Sequence, residues 1–472
     1  MNLKGLYLAI AAVLLCQTIT STANRSREAP APSNASITAR ASADEALHWA
    51  DSVMSRMSDN ERIAQLFVPR LDITDNAAGI AAIRKMTGTH GVGGFLLGKG
   101  TINSYANLIN AANEAARIAP LVTLDGEWGL AMRLTDAPRF PYNMGLGAIS
   151  DTDLLEEYGY EVARECRELG INVNFAPDVD VNSNPSNPVI GYRSFGEDPV
   201  RVAKAGVAYG KGLEQGGVLS VAKHFPGHGD TSTDSHKTLP TVDHTLEQME
   251  EIDLLPFRSY VDAGLGGIMV GHLRVPSLDK SGTPASLSNR ITTKMLIDRM
   301  GFNGLVFTDA LAMKGAVAQG NNCVAAFKAG ADVLLGSGAP VNDIAAMKKA
   351  LESGEISRER VNASCRKILA YKYVLGLTKK KKIDLNGLKA RINSEQARDV
   401  ARRLAEASLT LVHDNDKLIP LGRLGSRSIA VVSIGLGSDN EFARMCANYC
   451  MPEMISIGKD GTLTNAQIEN LR

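Results

Sequence analysis

Between residues 43 and 375, short apolar runs alternate with amphipathic stretches of helical period. The runs fall at 65–68, 94–97, 121–124, 172–176, 218–222, 268–270, 305–308 and 333–335. They are too short for buried helices and too uniformly apolar for half-exposed strands, so they predict strands covered on both faces. Helical patterns lie between them, for example at 151–169, 199–215 and 322–329. Strands alternating with helices imply a mostly parallel sheet joined by right-handed crossovers. Eight such strands predict a TIM-type (β/α)8 barrel over 44–376, with a doubly wound open sheet as the competing α/β arrangement. Either fold gathers chemistry at the C-terminal ends of its strands.

Beyond the barrel, four consecutive lysines (Lys379 to Lys382) sit in a polar stretch, which predicts a solvated linker over 377–393. A helical pattern (394–407), two strand patterns (409–413 and 429–433), a helix (440–450), a short strand (454–457) and a helix start at Thr464 follow. They predict the beginning of an α/β sandwich domain over 394–472, with too few strands for a self-sufficient sheet. On this reading the chain is either a fragment of a longer product or carries a stub.

At the other end, residues 1–23 have the form of a secretory signal peptide. Lys4 supplies the positive start, 6–15 the apolar stretch and Ser21-Thr22-Ala23 the small-residue cleavage site. Residues 24–43 are rich in Ser, Ala and Pro and predict a flexible leader. Export to the periplasm or the exterior is expected. Cys16 would allow lipoprotein anchoring, but the bulky Leu15 before it fits a lipoprotein cleavage site poorly. The remaining cysteines, Cys166, Cys323, Cys365, Cys446 and Cys450, are odd in number and scattered, which is no disulfide framework. Lys plus Arg and Asp plus Glu balance at 51 each, so no basic excess points to nucleic acid. With 44% hydrophobic and 22% charged residues, the composition is that of a globular protein and not a disordered one. No protein partner is implied.

Polar residues that directly follow the apolar runs are Asp125, Lys223 with His224, His272 and Asp309. The segment from Lys223 to His236 reads KHFPGHGDTSTDSH, and four of the eight histidines (His224, His228, His236, His244) fall in or near it. A zinc site is one reading, but Pro226 and the glycines break the helix that would align His224 with His228, and there is no H-E-x-x-H. A polar loop whose histidines only satisfy backbone groups is another. Asp234 and His236 stand two apart, so the carboxylate could orient the imidazole and leave its second nitrogen for proton transfer near neutral pH. Asp309 ends an apolar run, where a carboxylate serves either as a nucleophile or as a helix N-cap. Asp125, three residues before Trp128, suits a sugar with hydroxyl edges and an apolar face, although Trp128 could equally be core. Arg193 adds a clamp for a hydroxyl or an anion. Neither a phosphate loop nor a G-x-G-x-x-G after a strand is present, so no nucleotide cofactor is implied, and no metal.

Together these segments resemble glycoside hydrolase family 3, and within it the bacterial β-N-acetylglucosaminidases that act on cell-wall fragments. The resemblance rests on Asp125-Gly126-Glu127, on 174–180 (NFAPDVD), on 191–199, on the Lys223 to His236 loop and on Phe307-Thr308-Asp309. It implies a retaining reaction in which Asp309 attacks the anomeric carbon and His236, paired with Asp234, is the acid and then the base. Asp125, Arg193, Lys223 and His224 correspond to residues that bind the terminal N-acetylglucosamine. Arg133 and Met313 match that pocket more weakly, and His228 with Asp230 is expected to shape the loop. The implied substrate is N-acetylglucosamine-containing muropeptides or wall fragments. A phosphorylase using phosphate in place of water, and a non-catalytic sugar-binding barrel, are the alternatives. The signal peptide departs from the cytoplasmic single-domain members, and the chain continues past the barrel as in two-domain ones.

Overall fold

In the structure, a computed structural model that describes residues 35–233, 238–316, 318 and 320–471, nine short strands precede residue 409. They are β1 (Phe67–Val68), β2 (Arg70–Leu71), β3 (Gly94–Leu97), β4 (Leu121–Leu124), β5 (Val173–Asn174), β6 (Leu219–Phe225), β7 (Gly267–Val270), β8 (Leu305–Thr308) and β9 (Leu334–Leu335). β2 to β8 form one parallel sheet in sequential order, and β1 pairs in parallel with β9. Every residue of β3, β4, β6, β7 and β8 is buried, which explains why these runs read as continuously apolar.

The sheet closes at Pro69, which lies between β1 and β2. Proline has no N–H, but its carbonyl accepts from Leu96 N at 3.0 Å. The first strand is therefore split: Phe67 and Val68 face Leu334 and Leu335, while Arg70 and Leu71 face Leu96 and Leu97. On the far side a bridge from Phe307 to Val333 joins β8 to the β9 segment. The hydrogen-bonded ring of eight strand positions is a barrel, not an open sheet.

Helices surround it. α1 (Ile37–Ala41) is capped by Ser36, and its Ile37 and Ala41 are buried. It packs on α5 (Arg358–Val374), whose Tyr371 hydroxyl donates to Thr38 Oγ1 at 2.9 Å. The last part of the expected flexible leader is thus ordered helix, because its apolar residues have a surface to bury. The expected signal peptide, and the leader up to residue 34, lie outside the described residues. α3 (Thr152–Glu168) and α4 (Pro199–Gln215) follow α2 (Ile102–Ala115) and pack closely on each other. A Cβ at Gly159 would collide with the Tyr209 carbonyl, and one at Gly212 with the Glu156 carbonyl.

The stretch expected as a solvated linker is strapped to the barrel instead. Ile383, Leu388 and Ile392 are buried, and Asn110 both donates to the Ile383 carbonyl and accepts from its amide, at 3.0 and 2.7 Å. α6 (Glu395–Ala407) buries Ala397, Val400 and Leu404, a helical stripe, and Arg403 pairs with Glu157. The first compact unit therefore runs to Leu409, and the second is Thr410–Arg472. In that second unit, β10 (Ala430–Ile434) and β11 (Glu453–Ile457) pair in parallel, with a helix Glu441–Ala447 between them in sequence and another at Asn465–Leu471. The strand expected at 409–413 is irregular chain, with Leu409 82% and Val412 89% exposed. Among the described residues, no helix is long and apolar enough to cross a membrane.

Candidate active site

The strand ends deliver acids and bases to one rim. Asp125 follows β4, Asp178 and Asp180 follow β5, β6 itself carries Lys223 and His224, His272 follows β7, and Asp309 follows β8. β6 is tied to the segment after β5 by a bridge between Asp178 and Lys223, with Val179 N donating to the Lys223 carbonyl at 2.9 Å.

Lys223 is the hub. Its Nζ lies 2.8 Å from Glu127 Oε1 and 3.1 Å from Asp125 Oδ1. Arg133 reaches the other Asp125 oxygen at 2.9 Å. Arg193 grips Glu127 through Nη2 at 2.8 Å and Nε at 3.0 Å, a two-pronged geometry that suits guanidinium and carboxylate. Burial pushes the Asp125 carboxyl up, but Lys223 and Arg133 outweigh it and hold the group below the ordinary range. Burial likewise opposes ionisation of Glu127, and Arg193 with Lys223 reverses the balance to bring it to about 2. Three cations thus hold two carboxylates ionised in a site where an unpaired charge would be prohibitive.

A second network hangs on Asp180, which is fully buried. It accepts from His228 N at 2.7 Å and from His224 N at 3.2 Å, and shares a 2.7 Å hydrogen bond with His224 Nδ1. Burial pushes its carboxyl up, while His224 and His228 hold it below the ordinary range. Neighbouring Asp178 goes the other way: burial, then the charge of Asp180, push it well up. Two acids two residues apart are therefore shifted in opposite directions. His228, bonded through Nδ1 to Thr231 Oγ1 at 2.7 Å, is pushed down to about 4 by burial. Asp178, Asp180 and His224 bring potential ligand atoms within 4.8 Å of one another. This group already contains the His224–Asp180 hydrogen bond and has Arg193 3.5 Å from Asp178, so it carries its own cation.

Asp309 is half-buried at the end of β8. Its amide donates to the Val270 carbonyl at 2.9 Å, and its Oδ1 accepts from Ala310 N at 2.7 Å. Burial raises its carboxyl, but His272, His224 and the Ala310 amide lower it further, so it is held ionised. His272 stands behind it, bonded to Ser286 Oγ at 2.6 Å and to the Ala310 carbonyl at 3.0 Å. An anchored, ionised carboxylate beside polar donors is equipped to attack or stabilise an electron-poor carbon.

Of the residues singled out from sequence, Asp125, Arg133, Arg193, Lys223 and His224 form one connected set, with Arg193 Nη2 3.4 Å from His224 Nε2. Met313 is half-buried in the turn after Asp309, its amide bonded to the Ala310 carbonyl at 2.9 Å. Asp234 and His236 lie outside the described residues. Asp230, nearby, is 3.5 Å from His244 Nε2, and His244 Nδ1 bonds Asp253 at 2.6 Å. Sequence reasoning missed the roles of Glu127, Asp180 and Ser286. Asp178 and Asp180, two acids directly after a predicted strand, were the available signal for the second.

Comparison with known proteins places the chain in a family. The family profile described as Glycosyl hydrolase family 3 N terminal domain matches residues 58–371. The chain is 35% identical over 376 residues to a protein named Beta-hexosaminidase A from Pseudoalteromonas piscicida, covering 72% of this chain and 62% of that one. It thus spans less than two thirds of that relative. It is 37% identical over 257 residues to a Beta-hexosaminidase from Chromobacterium violaceum, covering 52% of this chain and 71% of the relative. A solved glycoside hydrolase family 3 beta-N-acetylglucosaminidase from Paenibacillus sp. strain FPU-7 superposes with a TM-score of 0.74 at 29% identity, over 88% of this chain and 82% of that one. With the barrel, its acidic and basic rim and a profile match over most of the first unit, the chain belongs to glycosyl hydrolase family 3.

Proposed function

We propose that this protein is an exported, retaining, exo-acting β-N-acetylglucosaminidase that releases terminal N-acetylglucosamine from peptidoglycan-derived fragments. The observation that carries the reading is the ionised, backbone-anchored Asp309 on the same rim as the Asp125–Lys223–Arg133 cluster. The cluster and Arg193 offer charged partners to the hydroxyls of one terminal sugar. An Asp309 oxygen attacks the anomeric carbon, and the bond to the leaving oxygen breaks as that oxygen takes a proton from His236. Water then attacks the glycosyl-enzyme, His236 takes its proton back, and Asp309 is released. Asp234 orients His236 in both halves. The relatives named as hexosaminidases support this choice of sugar.

The test is hydrolysis of 4-nitrophenyl N-acetyl-β-glucosaminide. Asp309→Asn is expected to lose about four to six orders of magnitude in kcat, the range seen when a member of a catalytic triad is removed, and His236→Ala to fall strongly. Full activity in both variants refutes the assignment, and binding without turnover in the unaltered protein identifies a sugar-binding barrel. Product analysis on a defined muropeptide, with and without phosphate, separates hydrolysis from phosphorolysis. Mass spectrometry of the mature N-terminus, after secretion from a bacterial host, tests export.

A further inference from the structure

Three dipeptides on the rim share one arrangement, in which one residue joins the buried polar network and its neighbour carries an aromatic ring. Glu127, fully buried beneath Lys223 and Arg193, is followed by Trp128. Arg193 is preceded by Tyr192. Asn143, also fully buried, donates from Nδ2 to the Arg193 carbonyl at 2.6 Å and is preceded by Tyr142. The same bonds that organise the polar cluster therefore bring the three rings together. Trp128 and Tyr142 meet edge to face at 4.9 Å, Tyr142 and Tyr192 lie 4.6 Å apart at 42°, and Trp128 and Tyr192 6.1 Å apart.

Rings packed only for stability are withdrawn from water, as Tyr158 and Tyr209 are in the core. Here Tyr142 is 37% and Tyr192 57% exposed, and Trp128 is half-buried. Besides these two tyrosines, Tyr160 is the exposed aromatic of the first unit among the described residues. The trio is also held in place: Arg139 donates to the Tyr142 hydroxyl at 2.7 Å with its guanidinium 5.3 Å from the ring centroid. A preorganised aromatic surface loses little on binding a flat apolar face. The C–H face of a pyranose is such a face, and its polarised hydrogens meet the electron-rich ring.

We propose that Trp128, Tyr142 and Tyr192 form a platform for the leaving-group sugar of an oligosaccharide, the ring adjoining the bond that breaks. This rests on the exo-acting glycosidase reading. There the charged cluster holds one terminal sugar, and the rest of the substrate extends over the exposed rim beside it. The preferred substrate is then a glycan with a further pyranose, not a glycoside of a small alcohol.

The experiment compares kcat/KM for tri-N-acetylchitotriose with that for N-acetyl-β-glucosaminyl fluoride, whose leaving group has no ring. For Tyr192→Ala and Trp128→Ala, the ratio of trisaccharide to fluoride is expected to fall roughly tenfold, with Tyr192→Phe restoring it. An unchanged ratio in both alanine variants overturns the platform, and so does an equal loss on the two substrates. If the unaltered protein cleaves neither, the glycosidase reading fails on its own, and calorimetry decides the platform. Trisaccharide affinity above that of N-acetylglucosamine, lost in Tyr192→Ala, then upholds it, and affinity independent of Tyr192 overturns it.

Discussion

Replacing Lys223 by methionine keeps the volume of the side chain and removes its charge, which isolates the electrostatic role of the hub. Its Nζ sits 2.8 Å from Glu127 and 3.1 Å from Asp125, with the Lys223 side chain 3% and the Glu127 side chain 0% exposed. Deleting one member of a buried ion pair typically costs about 3–5 kcal/mol, because the remaining charge stays desolvated. Arg193 still covers Glu127 and Arg133 still covers Asp125, so the lower end, about 3 kcal/mol, applies. For residues 35–409, the span that holds the described part of the first unit and about 375 residues long, an unfolding entropy of roughly 2.1 cal/mol/K per residue turns this into a Tm drop of about 4 °C. The effect also has a pH signature. Glu127 is held at about 2 against an ordinary value of 4.5, a depressed pKa. Its stabilisation is therefore complete above the ordinary carboxylate range and is lost as pH falls toward 2. Without Lys223 the depression relaxes, so the gap between the two proteins is full at pH 6–7 and narrows as the medium is acidified. Calorimetric melting at several pH values between 7 and 3 measures both quantities. Equal Tm values at pH 7, or a gap that ignores pH, would refute the reasoning.

Glu214 provides a contrasting case. Burial pushes its carboxyl up to about 7, against the amide of Gly266 (2.7 Å) and Ser220 Oγ (2.9 Å), which favour the ionised form. A raised folded pKa means stability that is present below pH 4.5 and lost as pH rises through 7, so Glu214→Gln is expected to flatten the fall in urea midpoint between pH 5 and 8. A variant that keeps the full slope shows the slope to come from elsewhere. Ser286→Ala removes the 2.6 Å partner of His272, which in turn braces the turn that holds Asp309. A lost buried hydrogen bond of about 1–2 kcal/mol corresponds to a roughly 5–30-fold lower kcat/KM on the chromogenic glycoside, and an unaltered value would remove His272 from the positioning of Asp309.

The strands were legible because a parallel barrel buries both of their faces, so each appears as an apolar run with no need for alternation. β2 left no such trace: Arg70 is exposed, Leu71 is half-buried, and Pro69 precedes them. The run at 409–413 misled for the opposite reason, since its leucines and valine have the composition of a strand but no partner edge among the described residues. In the site, Asp125, Lys223, His224 and Asp309 were visible as polar residues ending apolar runs. Glu127 was not readable as a shared counter-ion, because its partners Arg193 and Lys223 come from other strand ends and meet it only through the barrel's register. Asp180 was hidden in the same way: what it does is accept bonds from an imidazole and two amides 44 and 48 positions away. The linker and the sandwich boundary failed on charge content, since Lys379 to Lys382 masked the apolar residues beyond them that dock.

The split first strand has a consequence for how the chain reaches this state. Val68 and Leu335 are partners across more than half of the sequence, and so are Phe67 and Leu334. Contacts of such high contact order form late, because closing the loop between them must be complete before they contribute. Until β9 arrives, β1 and β8 are open parallel edges with buried-type side chains, the form of surface that pairs with other chains. Pro69 limits that exposure, since it leaves the first strand one N–H fewer to offer and divides its free edge into two short halves.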